Sequence, residues 1–226
     1  MKTRIYVVLL MLVAAAVVFA GCNFNIGGDS NNVVRGTGNR VPHTIDADGF
    51  TGINISGAYD LTFQQASDFS VILEVHENLL EYLETEVRSG VLHVGFARRI
   101  TLAGDSTPRL RVYAPYLDSL VAEGAVSANM ELHVDRLDIN IAGAANVNLV
   151  GSTNTLNIHA EGAADINSFD MAASDVTLTM EGAGNADIYA SETLHVSLSG
   201  VGRVRYDGDA TVTRNIAGLG SIARRS

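Results

Sequence analysis

The sequence predicts an all-β solenoid, built from coils of about 18–20 residues with one excursion near the start of the stack. Three observations lead there. A glycine-centred phrase returns at a near-constant interval, as Ala122-Glu123-Gly124-Ala125, Ile141-Ala142-Gly143-Ala144, Ala160-Glu161-Gly162-Ala163, Met180-Glu181-Gly182-Ala183, Leu198-Ser199-Gly200-Val201 and Ile216-Ala217-Gly218-Leu219, with steps of 19, 19, 20, 18 and 18 between glycines. Such a period marks stacked repeats, none of which can bury its apolar face alone. Residues six, four and two before the glycine are apolar in nearly every copy (Leu156, Ile158, Ala160; Leu194, Val196, Leu198), and so is the residue four after it (Ala128, Val147, Ile166, Ala186, Val204, Ile222), with polar residues between. Alternation of period two on both sides of a glycine corner describes two short strands per coil with one face inward. Finally, 22 glycines, 6% aromatic residues and no tryptophan suit thin stacked coils better than a two-layer sandwich.

Taken in order, residues 1–21 read as a secretory signal peptide. Lys2 and Arg4 precede an apolar run from Ile5 to Ala20, which is shorter than the roughly 20 residues needed to span a bilayer and ends in small residues. Cys22 follows Phe19-Ala20-Gly21, the arrangement of a bacterial lipoprotein signal cleaved before a cysteine that becomes the lipidated, palmitate-bearing N-terminus. Phe19 stands where such signals prefer Leu, and the competing reading is an ordinary signal peptide with a chance cysteine. Lipidation of Cys22, the only cysteine, leaves none for a disulfide or thiolate metal site. Residues 22–42, rich in Asn, Gly and Ser, read as a flexible tether, and residues 43–226 as a single domain.

Without Lys2 and Arg4, 13 of the 15 cations remain, all arginine, against 25 acids. A surplus of acid on an exported chain argues against nucleic acid and against electrostatic docking on anionic headgroups. Membrane attachment would come from the N-terminal lipid, at the outer membrane of the envelope rather than the inner.

Ile53, Ile55, Gly57, Ala58, Leu61 and Phe63 reproduce the repeat pattern as a first coil. Residues 64–118 then leave the period. Val71 to Val75 alternates as a strand, residues 77–87 carry apolar side chains at helical spacing, and Ser89-Gly90 turns the chain into Val91, Leu92, Val94 and Phe96. Leu110 to Ala114 reads as a strand stopped by Pro115. The excursion, with its short helix, is expected to cap one end of the stack, because the terminal coil of a solenoid must hide its open edge.

The order of Gly38-Asn39, Gly49-Phe50-Thr51-Gly52-Ile53-Asn54-Ile55-Ser56-Gly57-Ala58, Glu77-Asn78-Leu79-Leu80, Ser89-Gly90-Val91-Leu92 and the tandem Gly-Ala phrases resembles the putative auto-transporter adhesin head family, the GIN domain. The resemblance runs from about residue 39 to the C-terminus. It implies a right-handed parallel β-helix in secreted or lipid-anchored bacterial envelope proteins, and brings no functional residues with it.

Stacking sets equivalent side chains about 4.8 Å apart. Three residues after the glycine the column is Ser127, Asn146, Asp165, Asn185, Arg203, Ser221, and five after it is Asn129, Asn148, Asn167, Asp187, Arg205, Ala223. Asn146, Asn148, Asp165, Asn167, Asn185 and Asp187 are therefore the candidate binding face, a polar strip suited to an envelope glycan or protein. The competing reading is an Asn ladder that satisfies itself and keeps the face soluble. Glu123, Glu161 and Glu181 precede their glycines and could crowd around a hard cation such as calcium, but Ala142 interrupts the column and solvated acids are the simpler reading. Gly182 to Ile188 contains one imperfect copy of a calcium-binding nonapeptide, which needs neighbouring nine-residue turns.

His43, His76, His93, His133, His159 and His195 are scattered without metal-ligand spacing and read as surface residues. Neither a Gly-x-Ser-x-Gly elbow nor a strand-to-helix phosphate loop is present. The sequence thus assigns no catalytic residue, metal, cofactor or small-molecule substrate. It favours a lipid-anchored, non-catalytic binding, adhesin-like or structural module of the cell envelope. The alternatives are a polysaccharide lyase or hydrolase, which would need long loops walling a cleft, and an envelope stress or assembly factor acting through protein contacts.

Overall fold

The computed structural model describes residues 33–97 and 100–225, and these are all-β. The signal segment, the cleavage position and Cys22 lie outside the described residues. Twelve strands follow in order: β1 (Val33–Arg35), β2 (Arg40–Ile45), β3 (Gly52–Gln65), β4 (Ser70–His76), β5 (Leu83–Arg88), β6 (Val91–Phe96), β7 (Thr101–Ala103), β8 (Arg109–Ala114), β9 (Ser119–Ser168), β10 (Met171–Tyr189), β11 (Thr193–Asp207) and β12 (Thr211–Arg224). Residues 33–42, assigned to the tether on composition, comprise β1, a four-residue connection and the start of β2, so the fold reaches back to Val33. Pairing with β7 and β4 supplies the backbone partners that their own apolar content does not suggest.

The repeats stack parallel and in register. β3 pairs with β9 with Gly57 opposite Gly124, β9 with β10 with Gly162 opposite Gly182, and β10, β11 and β12 with Gly182, Gly200 and Gly218 aligned. Within β9, Gly143 lies against Gly124 and Gly162 against Gly143. Every one of these seven glycines has positive φ, between 116° and 133°, a conformation that side chains with a Cβ rarely adopt. A Cβ on Gly162 would also run into the carbonyl oxygen of Gly143 on the neighbouring rung. The recurring glycine is therefore required twice, by the kink in the strand and by the closeness of the stack.

The alternating columns fall where the period places them. Leu156, Ile158, Ala160 and Ile166 are at most 2% exposed, as are Leu194, Leu198 and Val204, and each such aliphatic side chain contributes about 1.5–3 kcal/mol on full burial. Bulkier side chains gather at the N-terminal end, where Phe50, Tyr59, Phe63, Leu73 and Leu79 are fully buried. Tyr59 stacks on Phe96 with ring centroids 5.7 Å apart, and its buried hydroxyl has no hydrogen-bond partner among the described residues. Burial pushes that phenol well above its ordinary pKa.

The excursion closes the outer edge of β3. β6 pairs parallel with Gly52–Ile55 and β8 with Asp60–Gln65, while β4 joins β8 to β2 in antiparallel pairing. The helix predicted over residues 77–87 is not formed. A 3-10 helix occupies Glu77–Tyr82, and the chain then extends as β5 against β6. Leu83, Thr85 and Val87 alternate with Glu84, Glu86 and Arg88, so the stretch satisfies a strand period as well, and the edge of β6 decides the outcome. Ser89 (φ 53°) and Gly90 (φ 77°) make the two-residue hairpin connection.

A candidate binding face

The six strip residues come from consecutive rungs of β9 and β10, and register brings them together. Asn185 stands opposite Asp165, and Asp187 opposite Asn167; on the next rung Arg203 and Arg205 stand opposite Asn185 and Asp187. Asn146, Asp165, Asn167, Asn185 and Asp187 line one shallow depression of about 470 Å³ with Ile166, Arg203 and Arg205. Asn148 lies beside it, accepting a hydrogen bond from Asn167 Nδ2 at 2.9 Å.

Much of the strip is bonded to itself. Asp165 accepts from Asn185 Nδ2 at 2.8 Å and from its backbone N–H at 3.0 Å. Arg205 donates to both carboxylate oxygens of Asp187, with Nε at 2.7 Å, and its guanidinium lies 5.6 Å from the ring centre of Phe169. These contacts hold the rotamers in place, which lowers the entropic cost of presenting them to a ligand. Asn146 and Arg203 make no side-chain hydrogen bond among the described residues and keep their donors for solvent or a partner. Two carboxylates and two guanidiniums leave the strip close to neutral, with amide, carboxylate and guanidinium groups in a repeating row. Such a row can hydrogen-bond hydroxyl groups or an extended chain along its length.

Beside the strip runs a furrow of about 600 Å³ floored by Ala58, Ala125, Ala144, Ala163 and Ala183, the residues directly after the glycines. Glu123, Glu161 and Glu181 are exposed, and Glu161 Oε1 lies 3.1 Å from His159 Nε2, from which it accepts in the tautomer that carries the proton there. Among the described residues, no group of three His, Cys, Asp or Glu side chains is placed to hold a metal ion. The histidines are not uniformly surface residues, since the ring of His76 is half-buried between Gly38 O at 3.1 Å and Asp105 O at 3.3 Å. His133 bonds Ser152 Oγ at 2.8 Å.

A larger depression, about 690 Å³, was not legible in the sequence. Asn54, Ser56, Glu84, Glu86, His93 and Phe96 are among its lining residues, brought together by pairing of Asn54 with His93 and of His93 with Glu86. Only the Leu83-Thr85-Val87 alternation could have signalled it, by showing that a strand rather than a helix faces β6.

Known proteins share this architecture. A family model described as putative auto-transporter adhesin, head GIN domain, matches residues 49–210. The fold is similar to crystal structures of three putative adhesins. One from Bacteroides fragilis has a TM-score of 0.70 at 16% identity, covering 85% of this chain and 100% of the other. One from Parabacteroides merdae has 0.56 at 22%, covering 86% and 100%, and one from Parabacteroides distasonis 0.50 at 20%, covering 85% and 100%. At these identities the likeness concerns the fold. A comparison with curated proteins gives no match.

Proposed function

The chain belongs to the putative auto-transporter adhesin head GIN domain family, and on that premise we propose that it is a non-catalytic binding module of the bacterial cell envelope. In this reading the repeats wind as a right-handed parallel β-helix, anchored through lipidated Cys22, and the strip from Asn146 to Asp187 contacts an envelope glycan or protein. The observation that carries it is the gathering of five strip residues, with Arg203 and Arg205, around one depression on the face of a rigid parallel stack. Rigid backbone under repeated amide and carboxylate groups suits a repeating ligand, because one bound unit places the next over equivalent groups about 4.8 Å on.

The test is an array of envelope polysaccharides and a pull-down of envelope proteins with the full chain, compared with Asn146→Ala and Arg203→Ala. Neither side chain has a hydrogen-bond partner to lose among the described residues, so both variants should melt within about 0.5 kcal/mol of the parent. Retention of a ligand by the parent and its loss from both variants supports the strip as the binding face. A ligand held equally by all three moves the site elsewhere, and release of sugar fragments by the parent would replace the non-catalytic reading with an enzymatic one.

A further inference from the structure

We propose that β12 is a docking edge for an extended acidic strand of another protein, which adds one rung to the parallel stack and sets a carboxylate over Arg214. The 14 residues of β12 pair with β11 on one side and with no strand on the other among the described residues. Such an edge presents a row of unpaired N–H and C=O groups that only another extended backbone completes.

The side chains of the edge state what that backbone carries. In a chain with 25 acids and 15 cations, β12 has Arg214 and Arg224 and no acid; Arg224 is paired with Asp209 at 2.8 Å, which leaves Arg214 to read an incoming strand. Arg214 stands opposite Val196, in a column whose earlier members Leu178 and Val196 are buried, yet it is exposed and makes no ion pair among the described residues. A carboxylate at the same register on an added strand would stand about 4.8 Å away. The column after the glycine also changes towards this end. Its alanines give way to Val201, 57% exposed, and then to Leu219, 83% exposed, so an added rung with an apolar residue there would cover a large side chain.

Neither a second copy nor a membrane fits as well. Antiparallel pairing of two β12 edges about Leu219 sets Arg214 against Arg224 of the other copy, which its own Asp209 already pairs at 2.8 Å, so the facing strand brings Arg214 no carboxylate of its own. Head-to-tail stacking onto β3 is blocked, because β6 and β8 already pair along that edge. A bilayer offers no hydrogen-bonding partner to a row of backbone groups.

The experiment uses the full chain and two labelled peptide probes, one with the sequence of residues 211–224 and one with Arg214→Glu and Arg224→Glu in that sequence. Fluorescence anisotropy should show the acidic peptide binding at least about tenfold more tightly, the advantage shrinking with salt. Arg214→Glu in the full chain should invert the preference, and N-methylation of the acidic peptide's backbone should abolish binding. Binding of neither peptide would show that Arg214 only blunts the edge, and equal binding of both would remove the charge code; either result overturns the proposal. It is overturned equally by sedimentation of the parent as a dimer that Arg214→Glu disperses, or by binding to phosphatidylglycerol vesicles that Leu219→Ser abolishes.

Discussion

At the N-terminal end of the stack the edge of β3 is covered along both halves by β6 and β8, over a core of Phe50, Tyr59, Phe63 and Leu79. At the other end β12 pairs on one side only among the described residues, its inward column holds an arginine, and its most exposed apolar side chain, Leu219, faces outward. The rungs between share one pattern, so the contrast comes from the ends alone. It teaches that a residue's cost depends on its rung as much as on its column: a mid-stack position is clamped from both sides, whereas the last rung can part from the rest with local loss only.

The largest effect expected from this contrast is in one column. Ile158→Asp places an unpaired charge between two rungs and should cost about 3–5 kcal/mol, whereas Arg214→Asp at the equivalent position of β12 should stay within about 0.5 kcal/mol. Thermal melts of both variants decide it, and similar losses would show that β12 is as clamped as the centre. A smaller split is expected at the glycines. Gly162→Ala combines a strained positive φ, about 1–3 kcal/mol, with collision against Gly143 O. Gly218→Ala meets the same geometry, but its cost is limited by the fraying of β12; hydrogen exchange should show the loss confined to residues 211–224.

At the capped end the buried hydroxyl of Tyr59 has no partner among the described residues. Tyr59→Phe removes that hydroxyl and keeps the stacking on Phe96, so stability should rise by about 1 kcal/mol; a fall would reveal a partner that the hydroxyl does have. The smallest effect concerns Asp138, exposed by 34%. Burial raises its pKa, but hydrogen bonds from Arg136 and Asn157 outweigh that and hold it below the ordinary carboxylate range. A depressed carboxylate stabilises above its unfolded pKa of about 3.9 and loses that contribution as pH falls through the folded value. Asp138→Asn should therefore cost under about 1 kcal/mol at pH 7 and nothing in strongly acid solution, which denaturant midpoints at the two pH values would measure.

The sequence showed most where the chain repeats itself. Glycine position, inward columns and the strip from Asn146 to Asp187 all follow from a pattern one period long, and register between like segments has little freedom once a positive-φ glycine must stack on its neighbour. The excursion was harder because its structure rests on distant partners. Residues 77–87 fit two periodicities, and β6 chose between them. Gly36 donates to Ser106 Oγ, 70 residues away, at 2.8 Å, a contact that no local pattern announces and that draws residues 33–42 into the fold. The depression beside His93 and Glu86 was hidden for the same reason.

The place of the cap in the chain has a kinetic consequence. Synthesis proceeds from the N-terminus, and residues 52–114 are complete before any tandem repeat has been made. The first tandem rung pairs with β3, with Gly124 opposite Gly57, and each rung after it joins residues only 18–20 positions apart, so it closes a short loop against a surface already formed, with little entropy to lose. Assembly therefore runs like a zipper from the cap towards β12.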